Sequence, residues 1–188
     1  NYGNETRWAA PVDADEFLQL NGEKSLREYL QENEGYASVL CQWKHYNANG
    51  QTKKTKGAVM ERFTTQADWY DWEPSGKMFV QTNRVNRFTR YNPVLRDGCK
   101  LLNDSSGTDV VQLNHYITKS FEEWKNKMER GSCDPNVLRN YRLFFRLNPD
   151  MADLDTGEDY EQGYGPAKNG TEGEDTVEGN GIEQEDLI

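Results

Sequence analysis

The negative charge of this chain is concentrated at one end, which limits how much of the sequence can fold into a packed domain. Residues 151–188 contain twelve acidic residues, one lysine and seven glycines. A segment of that composition has too little apolar surface to offset the entropy lost on ordering. The first 150 residues carry 21 basic and 20 acidic side chains and contain every Trp and Phe of the chain. We therefore predict one folded domain over residues 1–150 and a disordered, acidic, glycine-rich tail over residues 151–188.

Apolar runs typical of strands alternate with helical patterns through the predicted domain. Phe121, Trp124 and Met128 recur at helical spacing before Gly131, a residue that commonly ends helices. Helices are predicted at residues 25–30 and 121–131, and a further helix or packed segment at residues 141–147. Strands are predicted at residues 8–12, 36–46, 59–63, 77–81 and 110–116. This order of elements indicates an α/β fold, with a mixed sheet and flanking helices.

Composition disfavours several classes of protein. Cys41, Cys99 and Cys133 are too far apart and too few to suggest a disulfide framework. No run approaches the roughly 20 apolar residues that span a bilayer, so no membrane segment is predicted in this chain. The charge balance of the first 150 residues also argues against nucleic-acid binding, and we interpret the lysine-rich residues 53–56 as a solvated loop.

Three carboxylates follow the first apolar run, namely Asp13, Asp15 and Glu16. At the carboxyl end of a strand they would lie where α/β proteins bind ligands. Their hard oxygen donors suit Mg²⁺ or Mn²⁺ carrying a phosphate. The alternative interpretation is that the acids cap backbone N–H groups of a turn, which is the more common role of an isolated D-x-D.

A second polar cluster follows the last predicted strand. His115 is one of only two histidines, and it is either a metal ligand or a hydrogen-bonded structural residue. Lys119 opens a helix, where its charge opposes the helix dipole unless an anion lies there too. We predict that Asp13, Asp15 and His115 hold a divalent metal and that Lys119 neutralises a diphosphate.

Four segments in this order resemble a known family. They are residues 8–18, residues 41–50, Glu61-Arg62-Phe63, and the stretch from Asn114-His115-Tyr116 through Lys119-Ser120 to Glu123, Lys127 and Arg130-Gly131. Together they resemble glycosyltransferase family 92 and its bacterial relatives, which are similar to family 2 and have the GT-A fold. The resemblance covers residues 8–145 and implies the C-terminal, catalytic-side portion of a GT-A domain.

The resemblance implies a chemistry as well as a fold. The expected enzyme is a metal-dependent transferase that moves a sugar from a nucleotide-sugar donor, expected to be a UDP-sugar, to a hydroxyl of a glycan or saccharide. By resemblance, Asp13 and Asp15 form the D-x-D that binds Mn²⁺ or Mg²⁺ and the diphosphate. His115 is implied as the third metal ligand, and Lys119 as a residue facing the phosphates.

Two departures from the family pattern affect these expectations. In the GT-A fold a nucleotide-binding half precedes the D-x-D strand, whereas only seven residues precede Trp8 here. We therefore expect the base and ribose pocket to be missing from this chain, which would leave its site incomplete. Residues 90–95 lack the histidine that relatives often place near the proline, so a role for that residue is in doubt. The expected compartment is the cytoplasm for a bacterial protein and the Golgi lumen for a eukaryotic one.

The acceptor side is predicted from aromatic and acidic residues. Aromatic faces stack on sugar rings, so Trp43, Trp69 and Trp72 are predicted to bind substrate, although Trp43 also suits a core position. Inverting transfer, which only the resemblance implies, needs a general base near the acceptor hydroxyl. The candidate carboxylates are Glu16, Glu61, Asp68 and Asp71, of which Glu61 could instead pair with Arg62.

Two other functions stay open on the sequence alone. One is a noncatalytic carbohydrate-binding or interaction module, in which the acids cap turns and the aromatic loop holds a glycan. The other is a metal-dependent phosphohydrolase, because paired aspartates after a strand also suit phosphoryl chemistry. No phosphate-cradling glycine-rich loop follows the strand, which weighs against the phosphohydrolase.

Overall fold

The computed structural model of the chain describes residues 5–67, 75–88, 92–102, 110–132 and 139–156. The predictions made for Asp68, Trp69, Asp71 and Trp72 lie outside these residues, as does the predicted tail from residue 157 onward.

The described chain forms a mixed sheet with helices packed beside it, which confirms the predicted α/β fold class. In chain order the strands are β1 (Trp8–Ala9), β2 (Glu16–Leu20), β3 (Ser38–His45), β4 (Gly76–Gln81), β5 (Val85–Phe88), β6 (Pro93–Leu95), β7 (Leu101–Leu102) and β8 (Val111–His115). The helices are α1 (Leu26–Glu32) between β2 and β3, α2 (Val59–Arg62) between β3 and β4, and α3 (Phe121–Arg130) and α4 (Tyr141–Leu147) after β8. A 3-10 helix (Pro149–Met151) follows α4. Within these residues, no helix has the length and apolar character of a membrane span.

The larger sheet has the order β1-β4-β3-β8-β2, with β7 also paired to β3, and β5 and β6 form a separate pair. Central strand β3 is antiparallel to β4 and parallel to β8. The parallel register places His45 opposite His115 at the carboxyl ends of β3 and β8. On the other side of β8, β2 runs antiparallel and places Glu16 opposite His115. The sheet therefore joins two of the predicted site residues that are far apart in the sequence.

Two apolar clusters hold the helices against the rest of the fold. Tyr29 of α1 is buried with Val39 and Leu113 of the sheet. Helix α1 begins at the predicted capping box, in which the Ser25 side chain accepts a hydrogen bond from the backbone of Glu28.

The second cluster surrounds Trp124 of α3, whose side chain is completely buried, and Phe144 of α4. Met151 belongs to this cluster and Leu154 packs against it. The packed part of the chain therefore extends a few residues beyond position 150.

The first predicted strand is shorter in the structure. Only Trp8 and Ala9 pair with β4, and the backbone leaves the sheet before Pro11, which has no N–H to donate to a strand. Asp13 and Asp15 consequently lie in the turn that leads into β2, rather than directly at the end of a strand.

The predicted strand at residues 59–63 is wrong, because Val59–Arg62 is a short helix. The carboxylate of Glu61 accepts a hydrogen bond from the Ala58 backbone at 3.3 Å, which closes the first turn. Val59 and Phe63, four residues apart, pack into the same apolar cluster. The run of apolar residues therefore has a helical spacing that a five-residue window is too short to reveal.

Candidate functional site

The turn between β1 and β2 is fixed by Glu16. The backbone N–H of Glu16 donates to Asp13 O at 3.0 Å, and the Asp13 N–H donates to Glu16 Oε2 at 2.9 Å. Glu16 Oε1 accepts a hydrogen bond from Trp43 Nε1 at 2.9 Å. The Glu16 side chain is fully buried, and this burial raises the pKa of its carboxyl against the opposing effects of the Asp13 N–H and Lys77. Glu16 thus ties the acidic turn to the indole of Trp43.

Asp13 and Asp15 face different partners. Asp13 Oδ2 lies 2.8 Å from Lys77 Nζ, and the Asp13 side chain is 66% exposed. The Asp15 side chain is only 18% exposed, and its Oδ2 accepts a hydrogen bond from Lys127 Nζ at 2.8 Å. Burial opposes the ionisation of Asp15, but the Lys127 ammonium outweighs it and holds the pKa of Asp15 below its ordinary value. Each carboxylate of the D-x-D is therefore paired with its own lysine.

His115 lies between these two halves of the site. Its Nε2 is 4.0 Å from Asp15 Oδ1, which is too long for a hydrogen bond. Its ring centroid lies 4.9 Å from that of Trp43 and 5.0 Å from that of His45. Burial, reinforced by His45, lowers the pKa of His115 to about 3, so the imidazole is neutral near pH 7. Its Nδ1 atom is buried and has no hydrogen-bond partner among the atoms of the described chain.

A cavity of about 260 Å³ opens on the side of Asp15 that faces α3. Its walls carry four basic side chains against two acidic ones. The lining residues are Asp15, Lys54, Ile117, Thr118, Lys119, Glu123, Asn126, Lys127 and Arg130. Both acids already have cationic partners, since Asp15 pairs with Lys127 and Glu123 pairs with the buried Arg62 at 2.7 Å. The cavity is thus a positively charged recess suited to an anion.

One residue of the cavity wall has a backbone conformation that residues other than glycine rarely adopt. Lys119 has φ 54°, in the left-handed region that favours glycine. Residues held in this region cost of order 1 kcal/mol or more and often occur at functional sites. Lys119 therefore lies in the cavity wall at an energetic cost, directly before the Ser120 N-cap of α3 rather than within the helix.

The backbone N–H groups at the start of α3 are already occupied. Phe121 N–H donates to Gln51 O at 3.0 Å, Glu122 N–H donates to Thr52 O at 2.9 Å, and Glu123 N–H donates to Ser120 Oγ at 3.3 Å. An anion in the cavity would consequently be bound by side-chain cations rather than by the helix N-terminus.

The hydrogen bonds from the start of α3 to Gln51 and Thr52 also bring the nearby Lys54 to the cavity. Its backbone N–H donates to Glu122 Oε2 at 2.7 Å, which fixes the lysine-rich loop beside α3. Sequence reasoning treated this loop as solvated and assigned no role to Lys127 or Arg130. The signal for the latter two was present, since Glu123, Lys127 and Arg130 recur at i, i+4 and i+7 and share one face of α3.

The remaining predicted residues fall into two groups. Trp43 is half-buried beside His115, with Lys77 Nζ 5.7 Å from its ring centroid. Glu61 is exposed on α2, where it caps its own helix, and the partner of Arg62 is Glu123. The structure therefore joins Asp13, Asp15, Glu16, Trp43, His115 and Lys119 in one region, and it gives Glu61 a local role on α2.

The residues around Asp15 supply few ligands for the predicted metal ion. In the part of the chain that the structure describes, no group of three or more acidic, histidine or cysteine side chains is placed to hold a metal ion. Asp15 and the neutral imidazole of His115 supply two donors, while Asp13 turns to Lys77. Mg²⁺ is commonly bound by one or two carboxylates together with substrate phosphates. Asp15 and His115 thus offer only two of the ligands that a divalent ion needs, and the rest of its coordination would have to come from a diphosphate or water.

Comparison with known proteins identifies the family. The sequence model of glycosyltransferase family 92 matches residues 1–143, which include the acidic turn, His115 and the whole of α3. The chain belongs to glycosyltransferase family 92. No curated protein matches the chain. Membership of family 92 makes this a transferase domain with a sugar donor and an acceptor, as the resemblance predicted.

Proposed function

We propose that this family 92 domain transfers a sugar from a nucleoside-diphosphate sugar, with UDP as the expected nucleotide, to a hydroxyl of a glycan. The proposal includes the GT-A type of site, in which the D-x-D turn and the diphosphate share a divalent metal. The observation that carries it is the basic cavity beside Asp15, with its four cationic side chains. A leaving diphosphate carries two or three negative charges, so a recess of this charge stabilises the group that departs.

In this proposal several charged side chains of the cavity and the neighbouring His115 have distinct roles. Asp15 and His115 would hold Mn²⁺ or Mg²⁺ through a carboxylate oxygen and an imidazole nitrogen. The ion, when bound, would neutralise charge developing on the leaving group. Lys54, Lys119 and Arg130 would bind the phosphate oxygens; none of them forms an ion pair within the described residues.

Glu16 is better suited to orienting the site than to serving as the general base. Both of its carboxylate oxygens already accept hydrogen bonds, and its side chain is fully buried. A base must reach the acceptor hydroxyl directly or through one water. Glu61, Asp68 and Asp71 stay predicted candidates for the base, and Trp43, Trp69 and Trp72 stay predicted acceptor-binding residues.

Calorimetric titration with UDP in the presence of Mn²⁺ tests the diphosphate site. We expect Lys119→Met to weaken binding by about tenfold or more, because a charge-assisted contact to phosphate is lost. Lys125→Met is the matched control, since Lys125 is an exposed lysine of α3 that lies outside the cavity lining, and the affinity of this variant should equal that of the wild type. Equal weakening in both variants would indicate non-specific charge attraction and contradict the proposal.

The transfer reaction is tested separately by release of free UDP. The wild-type chain is supplied with a panel of UDP-sugars and glycan acceptors, and Asp15→Asn is measured in parallel. We expect acceptor-dependent UDP release from one donor, abolished in the variant. Binding of UDP without any release would favour the noncatalytic carbohydrate-binding alternative.

A further inference from the structure

The ammonium of Lys127 is held against the carboxylate of Asp15 at the edge of the basic cavity. Its Nζ donates to Asp15 Oδ2 and to Ile117 O, both at 2.8 Å. The side chains of Lys127 and Asp15 are 17% and 18% exposed, so bulk water reaches this ion pair poorly. An ammonium has three N–H donors, and the two hydrogen bonds given by the described residues leave a third N–H for a ligand in the cavity that Lys127 lines.

The side chains around Asp15 suit an anion better than a divalent cation. Asp15 Oδ2 is occupied by Lys127, and Asp13 is paired with Lys77. Across the described ranges of the chain, no three acidic, histidine or cysteine side chains are placed together as metal ligands. The positive charge that a diphosphate needs must therefore come mainly from other groups of the cavity.

The cavity already contains enough positive charge to neutralise a diphosphate. Both carboxylates of its lining are balanced, Asp15 by Lys127 and Glu123 by Arg62. Three further cations line it, namely Lys54, Lys119 and Arg130. A diphosphate group carries about two or three negative charges near neutral pH. These three side chains can consequently balance the ligand without a metal ion.

We propose that the cavity binds a diphosphate without a divalent metal ion, because side-chain cations supply the neutralising charge. The inference rests on the diphosphate site proposed above and concerns binding rather than transfer. Lys127 stays paired with Asp15 and donates its third N–H to the anion, while the three further cations contact the phosphate oxygens. A metal ion that takes part in transfer is then not required for the diphosphate to enter the cavity.

Calorimetric titration with inorganic pyrophosphate tests this inference without requiring activity. The full chain is titrated in buffer freed of metal ions on a chelating resin, and again with excess Mg²⁺. We expect the wild type to bind at least as tightly in the metal-free buffer, because Mg²⁺ reduces the negative charge of the ligand.

Two variants test the side chains in the metal-free buffer. Lys127→Met should weaken the binding of pyrophosphate by about tenfold or more, because a charge-assisted contact is lost. Lys125→Met removes an exposed lysine of α3 outside the lining and should leave the affinity unchanged. Equal weakening in both variants would indicate non-specific attraction and overturn the inference.

The outcomes separate this inference from the proposed function. Loss of binding in the metal-free buffer, with binding restored by Mg²⁺, would overturn the inference and leave the metal-sharing diphosphate site intact. Absence of pyrophosphate binding in both buffers would contradict the diphosphate site itself. Equal metal-free affinities of Lys127→Met and the wild type would refute the role of Lys127. The wild type alone decides whether the metal is needed, so the inference can be refuted even if Lys127→Met does not fold.

Discussion

At the scale of single residues, the two aspartates of the D-x-D are not equivalent. Asp13 is largely exposed and pairs with Lys77, whereas Asp15 is mostly buried and faces Lys127, His115 and the basic cavity. Solvent screens the exposed Asp13 carboxylate even though its partner Lys77 is buried, whereas the Asp15–Lys127 pair is screened less because its two side chains are 18% and 17% exposed. Asp15 is consequently the aspartate that we expect to carry most of the ligand binding.

Protonation of His115 makes the stability of the folded chain depend on pH. Its ordinary pKa of 6.5 falls to about 3 in the folded state, mainly through burial. The folded chain therefore keeps the imidazole neutral while the unfolded chain binds a proton. The resulting stability is fully present above pH 6.5 and is lost as the pH falls from 6.5 towards 3.

We predict that His115→Gln shows a smaller loss in the free energy of unfolding than the wild type between about pH 7 and about pH 5. Urea denaturation with a chelator present measures this difference. The charged and titratable groups that act on the imidazole, namely His45, Asp15, Asp13 and Lys127, are retained in both proteins. Identical losses in the two proteins would show that His115 is not held neutral in the folded state.

At the scale of elements, α3 connects the core to the cavity. Trp124 on one face is completely buried, while Glu123, Lys127 and Arg130 line the recess. Sequence reasoning found this helix, its apolar face and its end at Gly131, because all three depend on local spacing. It missed the role of Arg62, because the partners of its guanidinium lie on the loop at residues 51–55 and on α3, far from it in the sequence.

Arg62 is the residue that joins α2, this loop and α3. Its guanidinium pairs with Glu123 at 2.7 Å and its Nε donates to Thr55 Oγ1 at 3.1 Å, with the Arg62 side chain only 6% exposed. We predict that Arg62→Met lowers the free energy of unfolding by about 3 kcal/mol, because Glu123 loses its buried partner. Urea denaturation at neutral pH measures the change.

Glu61→Gln is the control for this prediction. Glu61 is adjacent to Arg62 in sequence but exposed, and Gln keeps an oxygen that can accept the Ala58 hydrogen bond, so this substitution should change stability by less than about 0.5 kcal/mol. A large effect of Glu61→Gln, with a small effect of Arg62→Met, would restore the pairing of Glu61 with Arg62 that the sequence alone left open.

At the scale of the whole molecule, the sheet assembles the site from distant segments. The sequence indicated that Asp15 and His115 belong together, but only through their residue types and a family resemblance. The physical reason is the register of β8, which places His115 between Glu16 of β2 and His45 of β3. Such long-range pairing leaves no local pattern, so the lysine partners of the two aspartates could not be predicted from spacing.

Binding of a nucleoside diphosphate in the basic cavity beside Asp15 is the property on which the proposed function most depends. Its most direct test is the change in backbone amide chemical shifts of the isotopically labelled chain on addition of UDP and Mg²⁺. The account predicts that the largest changes fall at residues 117–119 and at Lys127 and Arg130, which line the cavity. Saturable changes centred elsewhere, or none in these residues at millimolar UDP, would contradict it.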